Sequence, residues 1–158
     1  MKYVALLRGI NVGGKTKVPM ADLKKVLEEN NFKNVKTILN SGNVIFELAE
    51  ENKQKVCERV EEILEQKFGW HIFVILRTHQ EITNLVKKAP FKNTEITKDI
   101  RRYVSFLKNS VENKTELCYV IDLSNQPTVE AMAEAEKKYG KTNTTTRNWN
   151  TVEKIAAL

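Results

Sequence analysis

The chain has 158 residues, 41% of them hydrophobic and 29% charged, a composition that suits a folded domain and excludes the disordered and fibrous classes. Its longest apolar runs, Tyr3–Leu7 and Ile72–Leu76, are far shorter than the roughly 20 residues that span a bilayer, and Arg8 ends the first too soon for a secretory leader, so a cytoplasmic protein with no membrane partner is expected. Lysine and arginine outnumber aspartate and glutamate by 26 to 20, and the excess gathers in the N-terminal segment, where Arg8, Lys15 and Lys17 share one glycine-containing loop.

Lys2–Ile10 reads as a strand that runs into Gly13 and Gly14. Pro19 suits the first turn of a helix, and Met20, Leu23, Val26 and Leu27 follow at helical spacing until Asn30-Asn31. Val35–Asn40 and Val44–Leu48 form two short strands around Ser41-Gly42. Glu50–Phe68 is an amphipathic helix with Val56, Val60 and Leu64 in its stripe and Gly69 as its stop. His71–Arg77 is the next strand, and Thr78 with Glu81 makes a capping box for a helix that ends before Pro90. Arg102–Lys108 and Glu116–Leu123 read as strands joined by the polar stretch Asn109–Thr115. Pro127 opens a helix through Tyr139, which Gly140 stops. Thr142–Thr146 is too polar for a core strand and suits an edge strand or a loop, and Asn148 caps a last helix carrying Trp149, Val152 and Ile155.

The fold class is therefore α+β. Residues 1–78 follow the β-α-β-β-α-β order of a ferredoxin-like half, and residues 79–158 form a second, partly ferredoxin-like α+β half packed on it in one compact unit. Alternation places Val4, Leu6, Val44, Phe46, Val74 and Leu76 toward the two helices. The opposite face, with Tyr3, Ala5, Leu7 and Ile45, is also apolar, so the second half or another subunit must cover it.

Gly9-Ile10-Asn11-Val12-Gly13-Gly14-Lys15-Thr16 matches the phosphate-loop pattern G-x-x-x-x-G-K-[ST] directly after a strand. Its context argues otherwise: Pro19 starts the helix too late, and the element order implies an antiparallel sheet. The loop then reads in two ways. Its glycines serve only a connection that needs positive φ, or freed N–H groups join Arg8, Lys15 and Lys17 around a phosphate or carboxylate. Thr144–Asn150 (TTTRNWN) is the second polar concentration, either a capping segment with Trp149 as a core plug or an anion site at a helix start. Ser41-Gly42-Asn43 reads first as a hairpin turn, with side chains able to line a site at the sheet edge.

Cys57 and Cys118 stand 61 positions apart, and His71 and His79 have no closely spaced partner, so neither a disulfide, a metal site nor a cofactor is expected. No paired catalytic carboxylates and no Ser-His-Asp set emerge from spacing. Asn43-Val44-Ile45-Phe46 lacks the basic residue and paired aromatics of an RNA-recognition strand.

The segments LLRGINVGGKTKVPMADLKKVLEE, LNSGNVIF and TTTRNWNTVEKIAAL together resemble the bacterial family catalogued as domain of unknown function 1697. The likeness is strong over residues 3–77 and 144–158 and weaker between, where the family pattern carries a longer stretch around 109–140. The resemblance implies a small cytoplasmic protein of two ferredoxin-like subdomains, and it implies no particular activity.

The residues themselves point to an anionic small molecule or nucleotide. Its expected contacts are Arg8, Asn11, Gly13, Gly14, Lys15, Lys17, Ser41 and Asn43 from the first half and Thr146, Arg147 and Asn148 from the second. In the sharpest form of this reading, Arg8 and Arg147 share one anion, and each is replaceable by alanine at little cost in stability. The alternatives are a non-catalytic interaction or homodimerisation module and, less well supported, a nucleic-acid binder working through net charge.

Overall fold

A strand apolar on both faces must be buried on both. Strand β1 (Lys2–Leu7) obeys that rule, with Tyr3, Val4, Ala5 and Leu6 all fully buried. The computed structural model describes residues 1–14, 16–125 and 128–158. After β1 come α1 (Met20–Glu29), β2 (Lys33–Ile38), β3 (Asn43–Glu47), α2 (Lys53–Phe68), β4 (Val74–Thr78) and α3 (His79–Lys87). They are followed by β5 (Ile100–Val111), β6 (Lys114–Asp122), α4 (Thr128–Tyr139), β7 (Thr144–Asn148) and α5 (Trp149–Ala156), with a 3₁₀ turn at Lys141–Asn143. Among the described residues this is an α+β fold with two antiparallel sheets and five α-helices. The chain divides into two compact units, Met1–Glu81 and Ile82–Leu158.

The sheet of the first unit has the order β2-β3-β1-β4, the ferredoxin-like arrangement that its element order implies. Register pairs Tyr3 with Phe46, Ala5 with both Val44 and Leu76, and Leu7 with Val74. These residues form one face and pack with Leu23 and Leu27 of α1 and Val56, Val60 and Leu64 of α2. The expected face assignment is therefore reversed for β1: Tyr3, Ala5 and Leu7 meet the helices, whereas Val4 and Leu6 share the other face with Ile45 and Ile75. The reason is that alternation carries no information in an unbroken apolar run. That second face is buried as expected, with Val4, Leu6, Ile45 and Ile75 each no more than 1% exposed.

In the second unit the order is β6-β5-β7, so the first strand of the hairpin is central. The hairpin is longer than its hydrophobic pattern suggests. The polar stretch Asn109–Thr115 continues both strands to a two-residue turn at Glu112 and Asn113, which both take positive φ (52° and 62°), as a tight turn between twisted strands requires. Asn143 supports the tip, accepting from the Asn109 N–H (2.6 Å) and donating to the Asn109 carbonyl (3.1 Å). The polar TTTRN segment is β7, an edge strand whose Thr144 and Thr145 are nonetheless buried. Threonine suits a strand through its branched Cβ, and Thr144 satisfies its hydroxyl on the Gly140 carbonyl (3.0 Å). Pro127, expected to open α4, lies outside the described residues.

Candidate functional site

The loop after β1 is organised by Asn11. Its backbone takes positive φ (56°), and its side-chain amide binds Val18 at both ends, accepting from the Val18 N–H (2.8 Å) and donating to the Val18 carbonyl (3.0 Å). The same Nδ2 donates to the Asn40 carbonyl (2.7 Å), and the Asn11 N–H reaches the Thr16 carbonyl (2.8 Å). Asn11 thus fastens the glycine loop to itself and to the turn between β2 and β3. Its amide is committed to architecture.

Gly42 explains the close approach of that turn. It takes φ +85°, and an added Cβ would lie 2.7 Å from Ile10 Cδ1 and 2.8 Å from Leu7 Cβ, while its carbonyl accepts from the Leu7 N–H (2.8 Å). Asn43 is fully buried, donating to the Ile38 carbonyl (2.8 Å) and the Ser41 hydroxyl (3.0 Å). Gly9, Gly13 and Gly14 also take positive φ, but no neighbouring atom crowds any of them.

These elements leave an open cleft of about 280 Å³ lined by Asn11, Gly14, Lys17, Val18, Pro19 and Asn40. Of the expected site residues it gathers Asn11, Gly14 and Lys17, while Arg8, Gly13, Ser41 and Asn43 do not line it. Lys15 lies outside the described residues. Val18, Pro19 and Asn40 line it without having been expected to, and of these Asn40 is the polar one. Its only signal was its place beside Ser41-Gly42, because a carbonyl contributed by a turn leaves no side-chain signature. Pro19, the N-cap of α1, lines this cleft and supplies no side-chain hydrogen bond to the first-turn N–H groups of α1, a turn that also carries Asp22. Helix α1 starts at Met20, four residues beyond Thr16, and the sheet is antiparallel. Neither feature is that of a nucleoside-triphosphate phosphate loop, whose helix starts at the Gly-Lys pair.

The polar residues of the second unit are engaged within it. Thr146 Oγ1 and Ser105 Oγ stand 2.7 Å apart, and Ser105 also meets the Tyr119 hydroxyl (3.0 Å). Asn148 accepts from the Asn150 N–H (2.9 Å) and caps α5 as expected, with Trp149 buried behind it. Arg147 stands just before the Asn148 N-cap of α5, as expected, but it does so as a residue of β7. It is 6% exposed and donates from Nη1 to Thr145 Oγ1 (2.7 Å) and to the Thr146 carbonyl (3.0 Å). Burial pushes its guanidinium down to about 10, so it stays charged at neutral pH. The expectation that Arg147→Ala would cost little stability assumed an exposed side chain, and the burial of β7 removes that premise.

The family model described as "Protein of unknown function (DUF1697)" matches residues 1–137. The chain belongs to the DUF1697 family. The match ends before the TTTRNWN segment, so the family membership rests on the ferredoxin-like half and on the elements through most of α4. Among solved structures, the chain is similar to the conserved bacterial protein SP0830 from Streptococcus pneumoniae, at a TM-score of 0.69 and 23% identity, over 99% of this chain and 97% of that one. That likeness shows a shared α+β fold over nearly the whole of both chains. No curated protein matches this DUF1697 chain. Among its described residues, no helix is long and apolar enough to cross a membrane.

Proposed function

We propose that this DUF1697 protein binds a small phosphate- or carboxylate-bearing ligand in the cleft between the glycine loop and the β2–β3 turn. The observation that carries the reading is that Lys17 and the uncapped start of α1 border one cleft. Helix N-terminal N–H groups and a lysine attract the same charge, and both favour an anion. The volume of about 280 Å³ accommodates a phosphate or a sugar phosphate, since one water takes up about 30 Å³ of liquid. Asn11 holds the loop open in this shape and leaves charge recognition to Lys17. Arg8, at the end of β1, adds positive charge to the loop, and nucleotides and sugar phosphates are the ligand classes to screen first.

Thermal-shift measurements with inorganic phosphate, nucleotides and sugar phosphates test the proposal. A ligand at ten times its dissociation constant should add about 1.4 kcal/mol of stability, a rise of a few degrees in a domain of this size. Lys17→Ala, an exposed change, should leave the unliganded melting temperature in place and abolish that rise. No stabilisation by any of these anions at millimolar concentration would remove the proposal.

A further inference from the structure

Strand β6 is an edge of the second unit's sheet, and no described strand pairs with its outer side. Its residues Lys114–Asp122 contain no proline, and from Glu116 to Asp122 its pairing with β5 runs without a break. Edge strand β2 carries exposed Lys33 and Lys36 along its length, whereas the one lysine of β6 is Lys114 at its start, and each strand's ladder has one register shift. Cys118 is exposed in the middle of β6, and Val120 is 42% exposed. A groove of about 380 Å³ runs along the strand between it and α4, lined by consecutive residues from Leu117 to Ile121.

The sequence of β6 indicates what fits this edge. The strand is nine residues long, with Lys114 first, Asp122 last and Cys118 at its centre. If two copies pair antiparallel about a two-fold axis through Cys118, Lys114 of each lies opposite Asp122 of the other, Glu116 opposite Val120, and Cys118 opposite Cys118. Opposite-charge pairs directly across two strands are stabilising, and an isologous interface makes each such pair twice. The centred register therefore matches cation to anion at both ends, and a slip of two residues places Lys114 opposite Val120 and loses both pairs. We propose that β6 docks a second copy of this chain by edge-to-edge pairing, joining the two three-stranded sheets into one antiparallel sheet of six strands. This inference uses only the second unit and is independent of the anion cleft.

The test is the molar mass in solution from light scattering, over a series from micromolar to millimolar protein. A dimer fraction that grows with concentration is expected. Lys114→Glu should weaken dimerisation about tenfold, because it sets like charges opposite each other at both ends of the interface. The double variant Lys114→Glu with Asp122→Lys should restore it. Asp122 also accepts from the Ser124 N–H and hydroxyl, so circular dichroism melting must accompany the double variant. If the double variant unfolds, Lys114→Glu, at an exposed strand start, still gives a reading. A second probe is mild oxidation by diamide, which takes up two hydrogens as two thiols form one disulfide. Directly opposed strand residues have Cα separations that admit a disulfide, so mass spectrometry should find Cys118 joined to Cys118 between copies. A mass that stays monomeric throughout, a dimer indifferent to Lys114→Glu, or a cross-link that avoids Cys118 would overturn the proposal. Lys17→Ala should leave the mass unchanged, which separates this outcome from that of the anion cleft.

Discussion

A buried arginine costs desolvation energy, and Arg147 shows how this chain offsets part of it. Its Nη1 finds a threonine hydroxyl and a carbonyl in its own strand, and burial alone pulls its pKa down to about 10. Truncation to alanine removes the volume of a long side chain from a buried position and takes a donor from Thr145 and from the Thr146 carbonyl. Arg147→Ala should therefore destabilise the protein by about 2 kcal/mol or more in urea unfolding. Arg147→Met keeps most of the volume and removes the buried charge, so it should recover most of that loss, as replacing buried charges by packed apolar groups often does. Equal losses in both variants would mean that the charge itself is needed. The same contrast between exposed and buried polar groups governs the candidate cleft: Lys17 is exposed and available to a ligand, whereas Asn43 is committed to its turn.

At the scale of elements, the start of α3 is a capping box in which both halves form. The Thr78 N–H donates to Glu81 Oε2 (2.7 Å), and the Glu81 N–H donates to Thr78 Oγ1 (3.1 Å). Lys53, the first residue of α2, adds an ammonium 2.7 Å from Glu81 Oε1. Partial burial pushes the Glu81 carboxyl up, but the Lys53 hydrogen bond and the Thr78 N–H outweigh it and leave the pKa below its ordinary 4.5. A carboxyl with a lowered folded-state value stabilises fully above pH 4.5, and that stabilisation is lost as pH falls through the lowered value. Thermal melts of the protein and of Glu81→Gln should therefore differ at pH 7 and converge in acid, and a gap that widens in acid would contradict this account. This capping box was legible in the sequence because its two residues have a fixed spacing. The same holds for the first unit, where helical stripes and short strands differ clearly in period. What was not legible is contextual. The all-apolar β1 does not encode which face meets the helices, and the hairpin tip at Glu112-Asn113 is polar on both sides because both sides face water. Strand β7 looked too polar for a core because its threonines satisfy their hydroxyls only once Gly140 and Ser105 are in place. In the cleft, Lys17 and Gly14 could be read directly, but Asn11 bridging Val18 to Asn40 is a relation of the folded loop alone.

At the scale of the whole molecule, a net charge of +6 and a pI near 9.3 must attract polyanions at low salt whatever the protein's specific ligand is. The question is whether anything beyond charge would hold a nucleic acid. Proteins that bind single strands tightly present aromatic rings on which bases stack, each worth about 1–3 kcal/mol. The twelve aromatic residues here are not presented in that way. Seven of them, including Tyr3, Phe46, Phe106 and Trp149, are buried; Phe68 and Trp70 pack against the first unit's core; and none of the exposed large apolar side chains is aromatic. Charge alone should therefore account for any retention on immobilised single-stranded DNA. Such binding releases counterions, and its logarithm falls linearly with the logarithm of salt concentration. Elution at low salt is expected, well before about 0.2 M, where a protein making several phosphate contacts has already lost orders of magnitude in affinity. Elution should also not distinguish pyrimidine-rich from purine-rich strands. Retention that survives such salt, or discriminates between sequences, would require a stacking or base-reading surface that the buried aromatics of this fold do not supply.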